Sequence, residues 1–101
     1  MNMPIPTSIK LGKHRYTIAT YGTTHYTAAK GSIDYSIKRI SLGKRCNVTG
    51  RTYSSKERAE TFWHEVTHGI LHSMNHPLYL NEKFVEEFAK RLNDAIHSAK
   101  F

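Results

Sequence analysis

The chain has 101 residues, 39% of them hydrophobic, and a formal net charge of +7. This length suits one domain with its own hydrophobic core and leaves no room for a second. The single cysteine, Cys46, excludes an internal disulfide framework, no apolar run approaches the ~20 residues of a membrane span, and the first residues lack a signal-peptide pattern. We therefore expect one domain over residues 1–101, in the cytoplasm and without a membrane partner.

The positive charge lies in the first half of the chain. Residues 1–53 carry nine Lys or Arg and one acid, a net charge of +8, whereas residues 54–101 carry six and seven, a net charge of −1. Aromatic residues are interleaved with the cations of the first half, a composition that suits contacts with phosphates and bases. The first half could therefore bind nucleic acid or an acidic protein, or it could be one solvated face of a sheet.

Before residue 54, short β-prone segments alternate with glycine and small polar residues, which predicts three or four strands. The segment at 38–42 alternates apolar and polar residues, as a half-buried strand does. Glycine and small polar residues between the segments favour tight turns. Two hairpins are expected: residues 8–11 with 16–21, and residues 31–35 with 38–42.

A first helix is predicted after residue 54. Ser54 and Glu57 have the spacing of a capping box, in which each side chain binds the backbone amide of the other residue. Pro77 disfavours helical geometry at the residue before it, so the helix should end near Asn75. Apolar residues recur along this segment at helical spacing: Ala59, Phe62, Trp63, Val66, Ile70 and Met74.

A second helix is predicted over about residues 81–99, with Asn81 as its cap. Two long helices joined by a short connection usually pack antiparallel, which would place the first turns of the second helix beside His68. The predicted fold is α+β: a small antiparallel or mixed sheet of three to four strands packed on two long helices. The apolar stripe of the second helix comprises Phe84, Val85, Phe88, Leu92, Ala95, Ile96 and Ala99.

The first helix contains His64-Glu65-Val66-Thr67-His68, the HExxH spacing of zinc hydrolases. Side chains four residues apart on a helix lie about 5–6 Å apart at Cβ, so both imidazoles can bind one tetrahedral Zn²⁺. Glu65 is turned about 100° around the helix and flanks the ion. That is the position of a general base for a water molecule on the metal.

Two further histidines are poor candidates for the third ligand that a catalytic zinc needs. His72 lies eight residues beyond His64, and ~12 Å of helix is too long for one ion to bridge. His76 does not fit the metzincin pattern HExxHxxGxxH, because this chain has Leu71 and Met74 at the glycine and third-histidine positions.

Acids of the second helix are better candidates. On a helical wheel, Glu82 and Glu86 border the apolar stripe, whereas Glu87 points to solvent. Glu86 lies deeper in the helix than Glu82, which is exposed to fraying, and the small Ala89 near it allows close approach of the first helix. We therefore expect Glu86 as the third ligand, with Glu82 as the next candidate.

The segment TFWHEVTHGILH at residues 61–72, followed by FVEEFA at residues 84–89, resembles a small gluzincin-type zinc metallopeptidase. It is similar to the ImmA/IrrE-like proteins, to minimal gluzincins and to short forms common in phage genomes. The resemblance implies a zincin-like fold, a host-cytoplasmic location if the chain is phage-encoded, and a peptide or protein substrate. It also implies His64, His68 and Glu86 as zinc ligands and Glu65 as the catalytic base.

The implied reaction is amide hydrolysis by metal-activated water. An edge strand, with residues 39–42 as the candidate, could hold an extended peptide by backbone pairing. Tyr79, His76 and Tyr35 are candidates for the group that stabilises the oxyanion. The alternative is a binding module in which zinc supports folding and the basic first half contacts nucleic acid or an acidic protein.

Overall fold

The computed structural model describes residues 5–22, 30–46 and 48–100, which form one four-stranded mixed sheet and two helices. The predicted α+β class is therefore confirmed. Neither helix is both long and apolar enough to cross a membrane, within the part of the chain that the structure describes. In chain order the elements are β1 (Ser8–Leu11), β2 (His14–Tyr21), β3 (Gly31–Asp34), β4 (Arg39–Gly43), α1 (Ser55–Ser73) and α2 (Glu82–Ser98).

Both predicted hairpins form. β1 pairs antiparallel with β2, and β3 pairs antiparallel with β4. The first turn uses Gly12 at a φ of +62°, a left-handed conformation that glycine adopts without steric cost. In the second turn, the Asp34 carboxylate accepts hydrogen bonds from the backbone amide and hydroxyl of Ser36 at 2.9 and 2.6 Å. Short-range chemistry therefore accounts for both reversals of the chain.

The order of the strands in the sheet is β1-β2-β4-β3, with β2 and β4 parallel. The expectation that residues 39–42 form an edge strand is therefore wrong, because β4 lies between two neighbours. Its side chains suit that central position: Ile40 and Leu42 are 0% and 1% exposed. The edge strand on this side of the sheet is β3.

Helix α1 covers one face of the sheet and closes the core over it. Gly69 allows the close contact, since a Cβ at this position would overlap a methyl group of Leu11 and crowd Ile33. The glycine therefore fixes how closely the helix that carries the HExxH motif approaches the sheet. Buried apolar residues of the core are Leu11, Tyr16, Ile40, Leu42, Phe62 and Val66.

The predicted capping box at the start of α1 is present. The amide of Glu57 donates to the Ser54 hydroxyl at 3.1 Å, and the amide of Ser54 donates to the Glu57 carboxylate at 3.1 Å. Arg51 binds the same carboxylate through two hydrogen bonds of 2.9 Å, and Lys30 lies 3.4 Å from it. Hydrogen bonds from Arg51, above all, hold the pKa of Glu57 well below its usual range. The last helical residue is Ser73, two residues before the predicted end.

Helix α2 is capped by Asn81, whose side chain accepts from the amide of Phe84 at 2.9 Å. Its apolar stripe is narrower than predicted, because Phe84 and Phe88 are 36% and 47% exposed. Among the described elements α2 packs on α1 alone, so only one narrow face of this helix can be covered. The residues of α2 that are fully buried are Val85, Ala89 and Asn93.

We expect Ser54→Ala to lower the free energy of unfolding by about 1 kcal/mol, because the amide of Glu57 loses its cap. Ser55→Ala is the matched control, since Ser55 is the first helical residue and is not the cap. Its expected change is within about 0.5 kcal/mol. Urea unfolding followed by circular dichroism measures both, and equal effects of the two substitutions would contradict the role of the cap.

Candidate metal centre

Antiparallel packing of α1 and α2 brings the two motif histidines to the first turn of α2. The Nε2 atoms of His64 and His68 lie 3.2 Å apart. One carboxylate oxygen of Glu82 lies 3.0 Å from Nε2 of His64, and the other lies 2.9 Å from Nε2 of His68. These three side chains form the one group of three or more potential metal ligands found in the described part of the chain.

The separations within this group are close to those of a zinc site. Ligand atoms about 2.0–2.1 Å from a tetrahedral ion lie about 3.3 Å from one another. The three separations in this group, 3.2, 3.0 and 2.9 Å, are slightly shorter than that distance. Small side-chain movements would therefore admit one ion.

Each histidine is oriented by a hydrogen bond at its other ring nitrogen. Nδ1 of His68 donates to the backbone carbonyl of Tyr79 at 2.6 Å, and Nδ1 of His64 donates to the carboxylate of Glu86 at 2.9 Å. A carbonyl or carboxylate oxygen only accepts, so these contacts place the ring protons on Nδ1. A neutral imidazole then presents an unprotonated Nε2 with its lone pair toward the other histidine.

The group therefore consists of electron-pair donors that converge on one point. Two Nε2 lone pairs and a carboxylate repel one another unless a proton or a cation lies between them. A proton can be shared by only one pair of these atoms, whereas a divalent ion can bind all three at once. The chemistry of His64, His68 and Glu82 thus fits a metal such as Zn²⁺, which prefers imidazole and carboxylate ligands.

The two candidate acids of α2 have different positions. Glu82, the second candidate from the sequence, faces both Nε2 atoms. Glu86, the preferred candidate, instead contacts Nδ1 of His64, and its other oxygen lies 3.4 Å from Lys90. The cap at Asn81 orders the first turn of α2, so fraying does not disfavour Glu82. This geometry favours Glu82 as the oxygen ligand and gives Glu86 the task of orienting His64.

Glu65 lies next to this group, where the motif predicts it. The residue is 6% exposed and its side chain lines the same cleft, with no hydrogen bond to any other described residue. Burial raises the pKa of Glu65, the positive charge of His64 and His68 in their protonated forms lowers it, and the carboxylates of α2 raise it again. A carboxylate with a raised pKa is well suited to accept and return a proton.

The cleft has a volume of about 580 Å³ and lies between β3, α1 and the start of α2. Its position agrees with the sheet order, because β3 is the edge strand beside α1. Apolar side chains line it at Ile33 and Leu80, and charged side chains line it toward the start of α1. His64, His68 and Glu82 are therefore reached from an open groove.

Of the three candidate oxyanion donors, Tyr35 lines this cleft, whereas Tyr79 and His76 are not among its described lining residues. The Tyr35 ring stacks on His72 with ring centres 3.8 Å apart. Burial, together with the negative charge of Glu65, raises the pKa of Tyr35 to about 12. Its hydroxyl therefore stays protonated and can donate a hydrogen bond.

The remaining predicted residues lie outside the metal group. His72 packs against Tyr35, as expected for a residue that does not bind the metal. Nδ1 of His76 accepts a hydrogen bond from the amide of Leu78 at 3.1 Å and so stabilises the connection between the helices. Sequence reasoning missed the orienting roles of Glu86 and of the Tyr79 carbonyl. Glu82 and Glu86 have the same four-residue spacing as His64 and His68, and this spacing could have indicated that both acids face the histidines.

Comparisons with known proteins identify no relative of this chain. No protein-family model matches it, and neither a curated protein nor a solved structure does.

We expect wild-type protein to bind about one zinc ion per chain and Glu82→Gln to bind zinc at least tenfold more weakly, because an oxygen ligand loses its charge. Glu86→Gln should weaken binding by about 10- to 100-fold, the usual effect of losing the partner of a histidine ligand. Glu87→Gln is the control, since Glu87 pairs with Arg91 on the exposed side of α2. Competition with a chromophoric chelator measures all three, and unchanged affinity in Glu82→Gln would contradict this ligand set.

Proposed function

We propose that this protein is a zinc-dependent peptidase of the gluzincin type. One observation carries the proposal: two oriented imidazoles and Glu82 converge on one point beside the buried carboxylate of Glu65, in an open cleft. A purely structural metal site needs ligands but has no use for a base beside it. The resemblance of residues 61–72 and 84–89 to minimal gluzincins agrees with this proposal.

His64, His68 and Glu82 would hold the ion, leaving a fourth position open to the cleft. When bound, zinc supplies Lewis acidity, which lowers the pKa of a coordinated water toward about 7 and polarises the scissile carbonyl. Glu86 and the Tyr79 carbonyl fix the two imidazole rings, so the ligands are oriented before an ion enters.

Glu65 would act as the general base. Its carboxylate accepts a proton from the attacking water and then donates that proton to the amine that leaves when the C–N bond breaks. Glu65 has no hydrogen bond to another described residue, so its oxygens are available for both proton transfers. The Tyr35 hydroxyl, which stays protonated, is the side chain of this cleft best suited to donate to the carbonyl oxygen.

β3 would hold the substrate as an additional strand. The amide of Gly43 donates to the carbonyl of Lys30 at 2.9 Å, so these two residues form a hydrogen-bonded pair. From this pair onward, hydrogen-bonded and non-hydrogen-bonded residue pairs alternate along the β3–β4 hairpin. Gly31 and Ile33 therefore direct their backbone amides and carbonyls away from β4, to an edge that pairs with no described strand. An extended peptide can bind these groups and lie across the metal ligands.

We expect Glu65→Gln to keep the fold and one zinc per chain while lowering the rate of peptide hydrolysis by at least about 100-fold, because the base is lost. The measurement is cleavage of a mixture of ten-residue peptides, followed by mass spectrometry, with zinc content determined in parallel. Glu87→Gln should cleave as the wild type does. Equal cleavage by Glu65→Gln and wild type, or cleavage that persists after removal of zinc, would contradict the assignment.

A second candidate function uses the other face of the sheet, which no described helix covers. Lys10 and Arg15 are cross-strand partners on that face, and Arg39 lies on it opposite Asp34. Side chains of these three cations are exposed. This arrangement supports a binding surface for nucleic acid or another polyanion, with the metal centre stabilising the fold.

We expect any affinity for double-stranded DNA to fall steeply with salt, because each phosphate contact releases counterions. The double substitution Lys10→Gln with Arg15→Gln should reduce the slope of log K against log salt by about 1–2. Lys56→Gln, on the first turn of α1, is the control. Fluorescence anisotropy at several salt concentrations measures the slope, and a flat response in wild type would exclude this surface as a DNA site.

A further inference from the structure

The cleft has a charge opposite to that of the protein. The chain carries 15 Lys or Arg and 8 Asp or Glu. Five of those eight acids line the cleft, against two of the fifteen cations. The difference gives the cleft a formal charge of −3 in a protein of charge +7. The acids are Glu57, Glu60, Glu65, Glu82 and Glu86, and the cations are Lys30 and Lys90.

Two of the five acids have cationic partners. Glu57 pairs with Arg51 and Lys30, and Glu86 pairs with Lys90 at 3.4 Å. A divalent ion at the metal centre would offset two further charges and leave one. Glu65 and Glu82 belong to that centre, so the remaining charge falls on Glu60.

Glu60 forms no ion pair with any residue that the structure describes. Every Lys and Arg of the chain lies within residues 5–22, 30–46 and 48–100, and none of them forms a salt bridge with this carboxylate. The side chain is half-buried and lines the cleft. A half-buried carboxylate gains more from a cationic partner than an exposed one, because water screens the attraction less.

Glu60 also lies near the expected path of the substrate. It precedes His64 by one turn of α1, which is about 6 Å along the helix axis. The next residue, Thr61, packs against β3, since a Cβ at Gly31 would lie 2.8 Å from its methyl group. A peptide paired with the free edge of β3 therefore passes Glu60 about two residues from the point that faces the metal centre.

The acids of this cleft are more than a solvated patch. Glu65 is 6% exposed, lines the same cleft and has no hydrogen bond to another described residue, so its carboxylate can bind a molecule that enters the cleft. That observation is independent of the position of Glu60. Both point to a cleft arranged for a bound molecule with hydrogen-bond donors and positive charge.

We propose that the cleft selects peptides with Lys or Arg within about two residues of the scissile bond, and that Glu60 binds this cation. The proposal rests on the peptidase function proposed above and names its substrate class. The cationic peptide that the cleft would bind differs from the molecules that the overall charge favours, because a protein of charge +7 attracts acidic molecules at long range. At short range, the nearest unpaired charge determines which side chain of the substrate is attracted.

The test compares two ten-residue peptides that differ at one position near the scissile bond, Arg in one and Gln in the other. Wild type should cleave the Arg peptide with a kcat/KM about tenfold higher, the effect of about 1.4 kcal/mol. Glu60→Gln should bring the two peptides to within about twofold of each other. Glu60→Lys should favour a third peptide with Glu at that position.

Glu87→Gln is the matched control, because it removes the same charge from the side of α2 away from the cleft. This variant should keep the wild-type preference for Arg. An unchanged Arg preference in Glu60→Gln, or a wild-type preference for Gln or Glu, would overturn the proposal. A loss of preference in both variants would show that only the total charge matters, which also overturns the role of Glu60.

A second measurement separates this proposal from the peptidase function. Zinc-loaded Glu65→Gln should still bind the labelled Arg peptide about tenfold more tightly than the Gln peptide in fluorescence anisotropy, even if no peptide is cleaved. Adding Glu60→Gln to this variant should abolish the difference. Preferential binding without cleavage by wild type would contradict the peptidase function alone, whereas equal binding of both peptides would contradict the selectivity alone.

Discussion

The site depends on the packing of the first turn of α2 against the middle of α1. That contact brings the Glu82 carboxylate within 3.0 Å of Nε2 of His64 and within 2.9 Å of Nε2 of His68. Three electron-pair donors are stable at such separations only when positive charge lies among them. The helix packing and a bound cation therefore stabilise each other: the packing forms the site, and an ion would add its binding energy to the contact between the helices. Because α2 packs on no other described element, this contact also sets where α2 lies.

The other features of the cleft follow from the same placement. One turn further along α2, the Glu86 carboxylate accepts a hydrogen bond from Nδ1 of His64, so the helix that carries the proposed ligand Glu82 also orients His64. The connection between the helices supplies the Tyr79 carbonyl to His68. On the opposite wall, α1 approaches the sheet closely at Gly69, and the edge strand β3 comes to lie beside the metal group. In the proposed function, the sheet supplies the edge that binds the peptide, and the two helices supply the metal ligands and the base.

Local features of the fold could be predicted from sequence because their causes are local. The capping box at Ser54, the cap at Asn81 and the Gly12 turn depend on residues within a few positions of one another. The strand order could not be predicted, because the residues of β4 do not indicate that this strand pairs with β2 as well as with β3. The sequence could not decide between Glu82 and Glu86 either. Both lie on the same side of α2, and the choice depends on how far this helix is shifted along α1, which is a tertiary quantity. The exposed rings of Phe84 and Phe88 have a similar cause, since the sequence shows an apolar stripe but not how many neighbours cover it.

We propose that His64, His68 and Glu82 hold one ion and that Glu86 stays outside its coordination sphere. The most direct test is a crystal structure of the zinc-loaded protein with anomalous diffraction measured at the zinc absorption edge. We predict one anomalous peak about 2.0–2.1 Å from both Nε2 atoms and about 2.0–2.2 Å from a Glu82 oxygen, with Glu86 still bound to Nδ1 of His64. A peak coordinated by Glu86 in place of Glu82, or no peak between the two histidines, would contradict this ligand set.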